Sequence, residues 1–350
     1  QDQACCWAST SSFAEAINTE GKRIIVFEVA GIIDLEGKSL VIKNPFITIA
    51  GQTAPSPGIT LIRGGLVIST HEIIIQHIRV RPGEAGHDKK SGWEVDGITT
   101  NKGAYNVIID HCSTTWATDE NLSVSGPRHD GQDLDQWRSN TSHKITISNC
   151  IIASGLSHST HIKGEHSKGT LVHDNATEIL IYGNLYANNV DRHPLCKGGT
   201  QTVITNNFIS NPGRAIIKYS RVKSEWEGYE WVTGKMTVIG NYIEHGPNTS
   251  EKIFTGNFNG PVEVYWEDNK VVSKNDTREF NGNPVFLETR PLWPNGLTPL
   301  PSDEVKKNIL KNAGAFPWNR DEIDNKIIAD VISGNGKIIN SEAEAGGYPV

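Results

Sequence analysis

Val107-Ile108-Ile109-Asp110-His111-Cys112 decides how this chain is read, because the same figure recurs on both sides of it. Upstream stands Ile73-Ile74-Ile75-Gln76-His77-Ile78. Downstream come Ile145-Thr146-Ile147-Ser148-Asn149-Cys150, Ile179-Leu180-Ile181-Tyr182-Gly183-Asn184, Thr202-Val203-Ile204-Thr205-Asn206-Asn207, Met236-Thr237-Val238-Ile239-Gly240-Asn241 and Val264-Tyr265-Trp266-Glu267-Asp268-Asn269. Each unit is a short β-prone run, a sharp polar bend and a second apolar pair such as Leu185-Tyr186 or Phe208-Ile209. The units begin 23 to 38 residues apart, an uneven spacing that suits a solenoid whose coils carry loops of their own lengths.

Stacking the coils superimposes the sixth residue of each unit: Ile78, Cys112, Cys150, Asn184, Asn207, Asn241 and Asn269. The four asparagines then form a hydrogen-bonded ladder. Cys112 and Cys150 become neighbours, either bonded or as two buried thiols, since free cysteine is among the most buried residue types. A sandwich would need alternating strands and hairpin turns. Here the runs are apolar at consecutive positions, which predicts parallel strands packed on both sides. The expected class is all-β, a parallel β-helix in a single domain over 1–350. Its coils cover 22–280, and 281–350 form an extension that packs on the barrel. Short helices are expected at the termini, from Ser12-Phe13-Ala14-Glu15, Ser302 and Asn319-Arg320-Asp321-Glu322.

Composition narrows the function. The 350 residues carry a net charge of −7, which argues against a nucleic-acid partner and requires any acidic substrate to be held by a local positive site. No apolar run is long enough to span a membrane. The opening Gln1-Asp2-Gln3 reads as a processed end. Five cysteines without a Cys-x-x-Cys pair lead to the expectation of no zinc site. The polar loops 84–92, 125–143 and 221–234 interrupt the ladder. Trp226, Tyr229 and Trp231 in the last suit either sugar stacking or sealing the loop to the barrel.

Two clusters could carry chemistry. Glu94 and Asp96 head one coil, and alternation puts them on one face of a strand; Asp119 and Glu120 head the next. Carboxylates that close repel unless a cation lies between them, and hard oxygen ligands suit calcium. The competing reading is a solvated patch of surface acids. The basic segment Arg192-His193-Pro194-Leu195-Cys196-Lys197, with Lys168 ahead of the preceding coil, could pair with carboxylates of a polymer or be a charged surface turn.

Three segments carry a resemblance. Asn106-Val107-Ile108-Ile109-Asp110-His111, His166-Ser167-Lys168-Gly169-Thr170-Leu171-Val172 and Arg192-His193-Pro194-Leu195-Cys196-Lys197 are similar, in order, to motifs of the pectate lyase superfamily, polysaccharide lyase family one. The resemblance implies a right-handed parallel β-helix and a secreted, monomeric lyase that cleaves an acidic polysaccharide of the polygalacturonate type with the help of Ca2+. It implies Arg192 as the catalytic base, Lys168 and Lys197 as substrate-binding residues, and Glu94, Asp96 and Asp119 as calcium ligands. The chain departs from the family pattern at Ser123, where a carboxylate is expected and Glu120 is the candidate replacement, and at Lys197, where an arginine is expected. Asp110 is read as structural. An arginine base, normally protonated up to a pKa of about 12, implies an alkaline optimum. Two alternatives stay open: a β-helix glycoside hydrolase using Asp96, Asp119 and Glu120, and a non-catalytic polysaccharide-binding β-helix.

Overall fold

A computed structural model describes residues 10–273 and 278–349. The chain winds through three sheets in turn. A ten-stranded first sheet runs from Arg23–Val26 to Val285–Phe286. A nine-stranded second sheet runs from Gly31–Asp34 to Lys270–Val272. A nine-stranded third sheet runs from Leu40–Ile42 to Arg278–Gly282. Strands from successive coils pair in parallel, giving a right-handed parallel β-helix.

The repeated hexads are the first sheet. Ile73, Val107, Ile145, Ile179, Thr202, Met236 and Val264 fall in one register, and Ile75, Ile109, Ile147, Ile181, Ile204 and Val238 in another. All are buried, so two columns of mostly β-branched side chains fill the interior. The residue between them points outward, and here the expectation of two-sided packing fails. Ile108 is 39% exposed and Ile24 43%, because no described residue covers the first coils of this sheet. The bend after each strand has a backbone cause: His77, His111, Asn149, Gly183, Asn206, Gly240 and Asp268 all have positive φ. Gly, Asn and Asp tolerate that left-handed conformation best.

One step later the ladder forms. Asn184 Nδ2 donates to Asn207 Oδ1 (2.9 Å), Asn207 to Asn241 (3.0 Å) and Asn241 to Asn269 (2.8 Å). Cys112 and Cys150 continue the column as free, buried thiols, with Cys112 N donating to Cys150 Sγ at 3.4 Å. Cys5 and Cys6 lie outside the described residues.

The helix Thr10–Asn18 places Phe13, Ala16 and Ile17 on the interior at the first coil. It starts two residues before Ser12, so Ser12 is not its cap. After the last coil the chain turns back along the outside: Thr237 Oγ1 bonds Leu292 O, and Asn206 exchanges two hydrogen bonds with Leu300. Helices Ser302–Asn312 and Glu322–Ser333 then lie on the outer face of the second sheet, against Ile151, Leu185 and Phe208. Asp321, not Asn319, caps the latter through a bond from Asp324 N. Beneath it Arg79 and Arg81, both 0% exposed, pair with Asp321 and Asp324. No helix among the described residues is long and apolar enough to cross a membrane.

Candidate active site

Most of the residues expected to carry chemistry gather along the third sheet. Glu120, at the head of the strand Glu120–Val124, is in register with Lys168 of Lys168–Val172, and Lys168 with Asp191 of the next coil. Coil stacking alone thus aligns groups that lie 48 and 23 residues apart. Asp96 joins from the coil before: its carboxylate accepts from Glu120 N (3.0 Å) and Ser123 Oγ (2.5 Å).

Oxygens of Asp96, Asp119 and Glu120 lie within 4.8 Å of one another. Burial, reinforced by the charge of Asp119, pushes the Asp96 carboxyl up to about 7. Burial would raise Asp119 too, but the hydrogen bond from His166 (2.6 Å) and nearby positive charge hold it below its ordinary range. An all-oxygen set strained by mutual repulsion fits a hard divalent cation. Ser123, which stands where a carboxylate was expected, supplies a hydroxyl to this same set.

Glu94 is not in it. Residues 92–97 form no strand; the segment is tied by Thr118 Oγ1 to Trp93 O and by Val95 N to Thr118 Oγ1. The alternation expected to put Glu94 beside Asp96 is therefore absent, and Glu94 Oε1 turns to His161 Nδ1 (3.3 Å).

Arg192 sits at φ 69°, in the left-handed region, its carbonyl held by Thr170 N at 2.7 Å. From there its guanidinium reaches back to form an ion pair with Glu120. The backbone passes so close to Gly169 that a Cβ there would meet Arg192 O at 2.3 Å, which explains the glycine. Burial lowers the Arg192 pKa, against the raising effect of Asp119 and Asp96. Lys168 lies 3.8 Å from Asp191, and burial brings its ammonium down to about 8.

Lys197 is separate. At the far end of the strand Leu195–Lys197 it contacts Asp174 (3.5 Å) and pairs with Glu225, and both acids also bind Arg128. Trp226 is buried there and donates to Asp174 Oδ1 (2.7 Å), so it seals its loop. Trp231 is half exposed, with the Arg221 guanidinium 3.3 Å from its ring centre. No motif or spacing marked Asp191, Arg214 or Lys218. Asp191 gathers Lys218 at 3.3 Å and Arg214 at 3.7 Å in addition to Lys168. His161 and His166 were equally unmarked as a pair, yet their rings stack at 3.6 Å beside Asp119.

No protein-family model matches the chain. It is 33% identical to a probable pectate lyase C of Aspergillus flavus over 349 residues, covering 96% of this chain and 73% of that protein. To its counterpart in Emericella nidulans it is 32% identical, with 96% and 72% covered. Among solved structures, the cedar pollen allergen Jun a 1 superposes with a TM-score of 0.60 at 15% identity, over 89% of this chain and 88% of that one. A pectate lyase from Bacillus sp. N165 in complex with trigalacturonate gives 0.56 at 17% identity, over 89% and 93%. The structural neighbours speak for the fold, and the fungal relatives, alike across nearly the whole length, show that this chain belongs to the pectate lyase family.

Proposed function

We propose that this enzyme cleaves polygalacturonate-type chains by β-elimination on the outer face of the third sheet, with Arg192 as base, Lys168 and Lys197 binding substrate carboxylates, and calcium held by Asp96, Asp119 and Glu120. The observation that carries the reading is the contact of a desolvated Arg192 with a three-carboxylate cluster. The proton at C5 of a uronate lies α to a carboxylate and is hard to remove. Calcium bound to the acidic set supplies Lewis-acid stabilisation of the charge that develops on that carboxylate. Lys168 orients the polymer through a neighbouring carboxylate. Arg192, once it has left the Glu120 ion pair and given up a proton to solvent, a loss that its burial favours, takes the C5 proton, and the glycosidic oxygen leaves from C4 to give a C4–C5 double bond. Lys197, at the far end of the strand Leu195–Lys197, serves a more distant sugar. Glu94 orients His161 and is not assigned to calcium.

Each group sets a limit on pH. Asp96 must be ionised to hold a cation, so kcat/KM at limiting calcium rises through about pH 7. Lys168 loses its charge above about 8 and binding weakens. The optimum is therefore mildly alkaline. Because the polymer is too large to enter a cell, the enzyme is taken to act outside it.

The test is ultraviolet absorbance of unsaturated product from polygalacturonate, with calcium and with a chelator. Absorbance that the chelator abolishes supports the reading. New reducing ends without absorbance would instead mean hydrolysis, and neither signal on a panel of polyuronides would mean a binding protein.

A further inference from the structure

His161 and His166 are used by no step above, yet both are buried, and both present a ring nitrogen to one oxygen. His166 Nε2 lies 2.6 Å and His161 Nε2 3.7 Å from Asp119 Oδ1. Ligand atoms of the three residues lie within 4.8 Å of one another. We propose that His161, His166 and Asp119 form a second divalent-ion site beside the carboxylate cluster, one of mixed nitrogen and oxygen donors that selects a borderline transition ion such as Zn2+ or Co2+ over calcium.

Imidazole suits zinc, cobalt and nickel, whereas calcium takes oxygen almost exclusively. The expectation of no zinc site rested on cysteine spacing, and these donors are histidines from the segment between the strands Ile151–Ala153 and Lys168–Val172. Ligands at about 2.0–2.2 Å from a tetrahedral zinc stand about 3.3 Å apart, and the two nitrogen-to-oxygen separations fall on either side of that value. The rings stack with an interplanar angle of 13°, so their Nε2 lone pairs lie in nearly parallel planes. One ring must rotate for both to converge, and the hydrogen bond from His166 to Asp119 opens as the ion replaces its proton.

An outer partner is in place. A histidine that binds metal through Nε2 carries its proton on Nδ1 and needs an acceptor there. Glu94 Oε1 stands 3.3 Å from His161 Nδ1. Lys163 N donates to the same nitrogen at 3.1 Å and would give up that bond when the proton moves to Nδ1. Asp119 would then serve two cations, one through each oxygen, as a carboxylate does where two ions lie about 3.5–4 Å apart.

The test is a titration of the full, chelator-stripped chain with CoCl2, read by the visible bands of nitrogen-ligated cobalt, with calcium binding measured separately by calorimetry. The expected result is one cobalt ion per chain. His161→Gln and His166→Gln should each weaken it by more than about tenfold and Glu94→Gln by about tenfold, a larger loss in each case than the same variant shows for calcium, with the circular dichroism of the folded chain retained. If His166→Gln fails to fold, the other two variants carry the test. Absence of cobalt bands in the wild-type chain, or bands unaltered by every variant, would overturn the proposal. Loss of calcium binding alone would strike at the calcium reading and leave this one standing.

Discussion

Two outer faces of this barrel bury charge, and they do so differently. On the second sheet, Arg79 and Arg81 meet Asp321 and Asp324, two cations against two anions under a helix that excludes solvent. On the third sheet, Asp96, Asp119 and Glu120 gather with one guanidinium, that of Arg192, paired to Glu120, and no helix among the described residues lies over them. The residue types are alike. Charge balance and cover separate them: the balanced, covered cluster fastens an element to the barrel, and the unbalanced, open one is left able to take a cation and a substrate. A buried ion pair is weak support for net stability, yet removing one partner leaves a charge stranded. Mutation should therefore distinguish the two faces sharply.

The largest effect is expected at the open face. Arg192→Ala should lower kcat/KM by about 10²–10⁴, the usual contribution of a general base, with a loss of stability smaller than that of Arg81→Ala, because Arg192 is partly exposed and, among the described residues, pairs with Glu120 alone. Arg81→Ala should do the reverse, costing about 3–5 kcal/mol of stability with activity per folded molecule unchanged; denaturant unfolding and initial rates read both. If Arg192→Ala proved as destabilising as Arg81→Ala, the contrast between the faces would collapse.

Asp96 sharpens the contrast through pH. Its carboxyl is raised to about 7 in the folded chain from about 3.9 when unfolded. The native state thus holds a proton that the unfolded state has released, and stability falls as pH rises from about 4 through 7. Calcium should reverse the fall by mass action, and Asp96→Asn should abolish both the fall and the reversal. Thermal melts across that range, with calcium and with chelator, show it.

How far the sequence foretold these faces depends on how each residue is placed. The strands, the bends and the asparagine ladder were legible because they repeat within single hexads, from Ile73 to Asn269. Asp96, Asp119 and Glu120 were legible as a cluster because each heads a coil. Glu94 was misplaced because side-chain hydrogen bonds from Thr118 hold residues 93–95 out of a strand. Asp191 and Lys218 were invisible as a pair because coils of unequal length bring them together, and no fixed spacing records that; the stacked histidines lie in one irregular loop, where no strand or helix period marks them as partners. Lys197 shares a motif with Arg192, but the intervening strand carries it to another ion cluster.

Smaller effects test the supports. Gly169→Ala would force the Arg192 carbonyl aside and should reduce kcat more than KM, by less than deletion of Arg192 does. Asn207→Ala would strand buried ladder partners on both neighbouring coils and should cost about 1–3 kcal/mol without changing the rate at saturating substrate.

The most direct measurement is calcium binding by calorimetry at pH 8 to the wild-type chain and to Asp96→Asn. The account predicts a defined site in the wild type that weakens by at least about tenfold on losing one charged oxygen ligand, a change of about 1.4 kcal/mol. Identical isotherms for the two proteins would contradict it, because the unbalanced carboxylates of the open face would then not be what holds the ion.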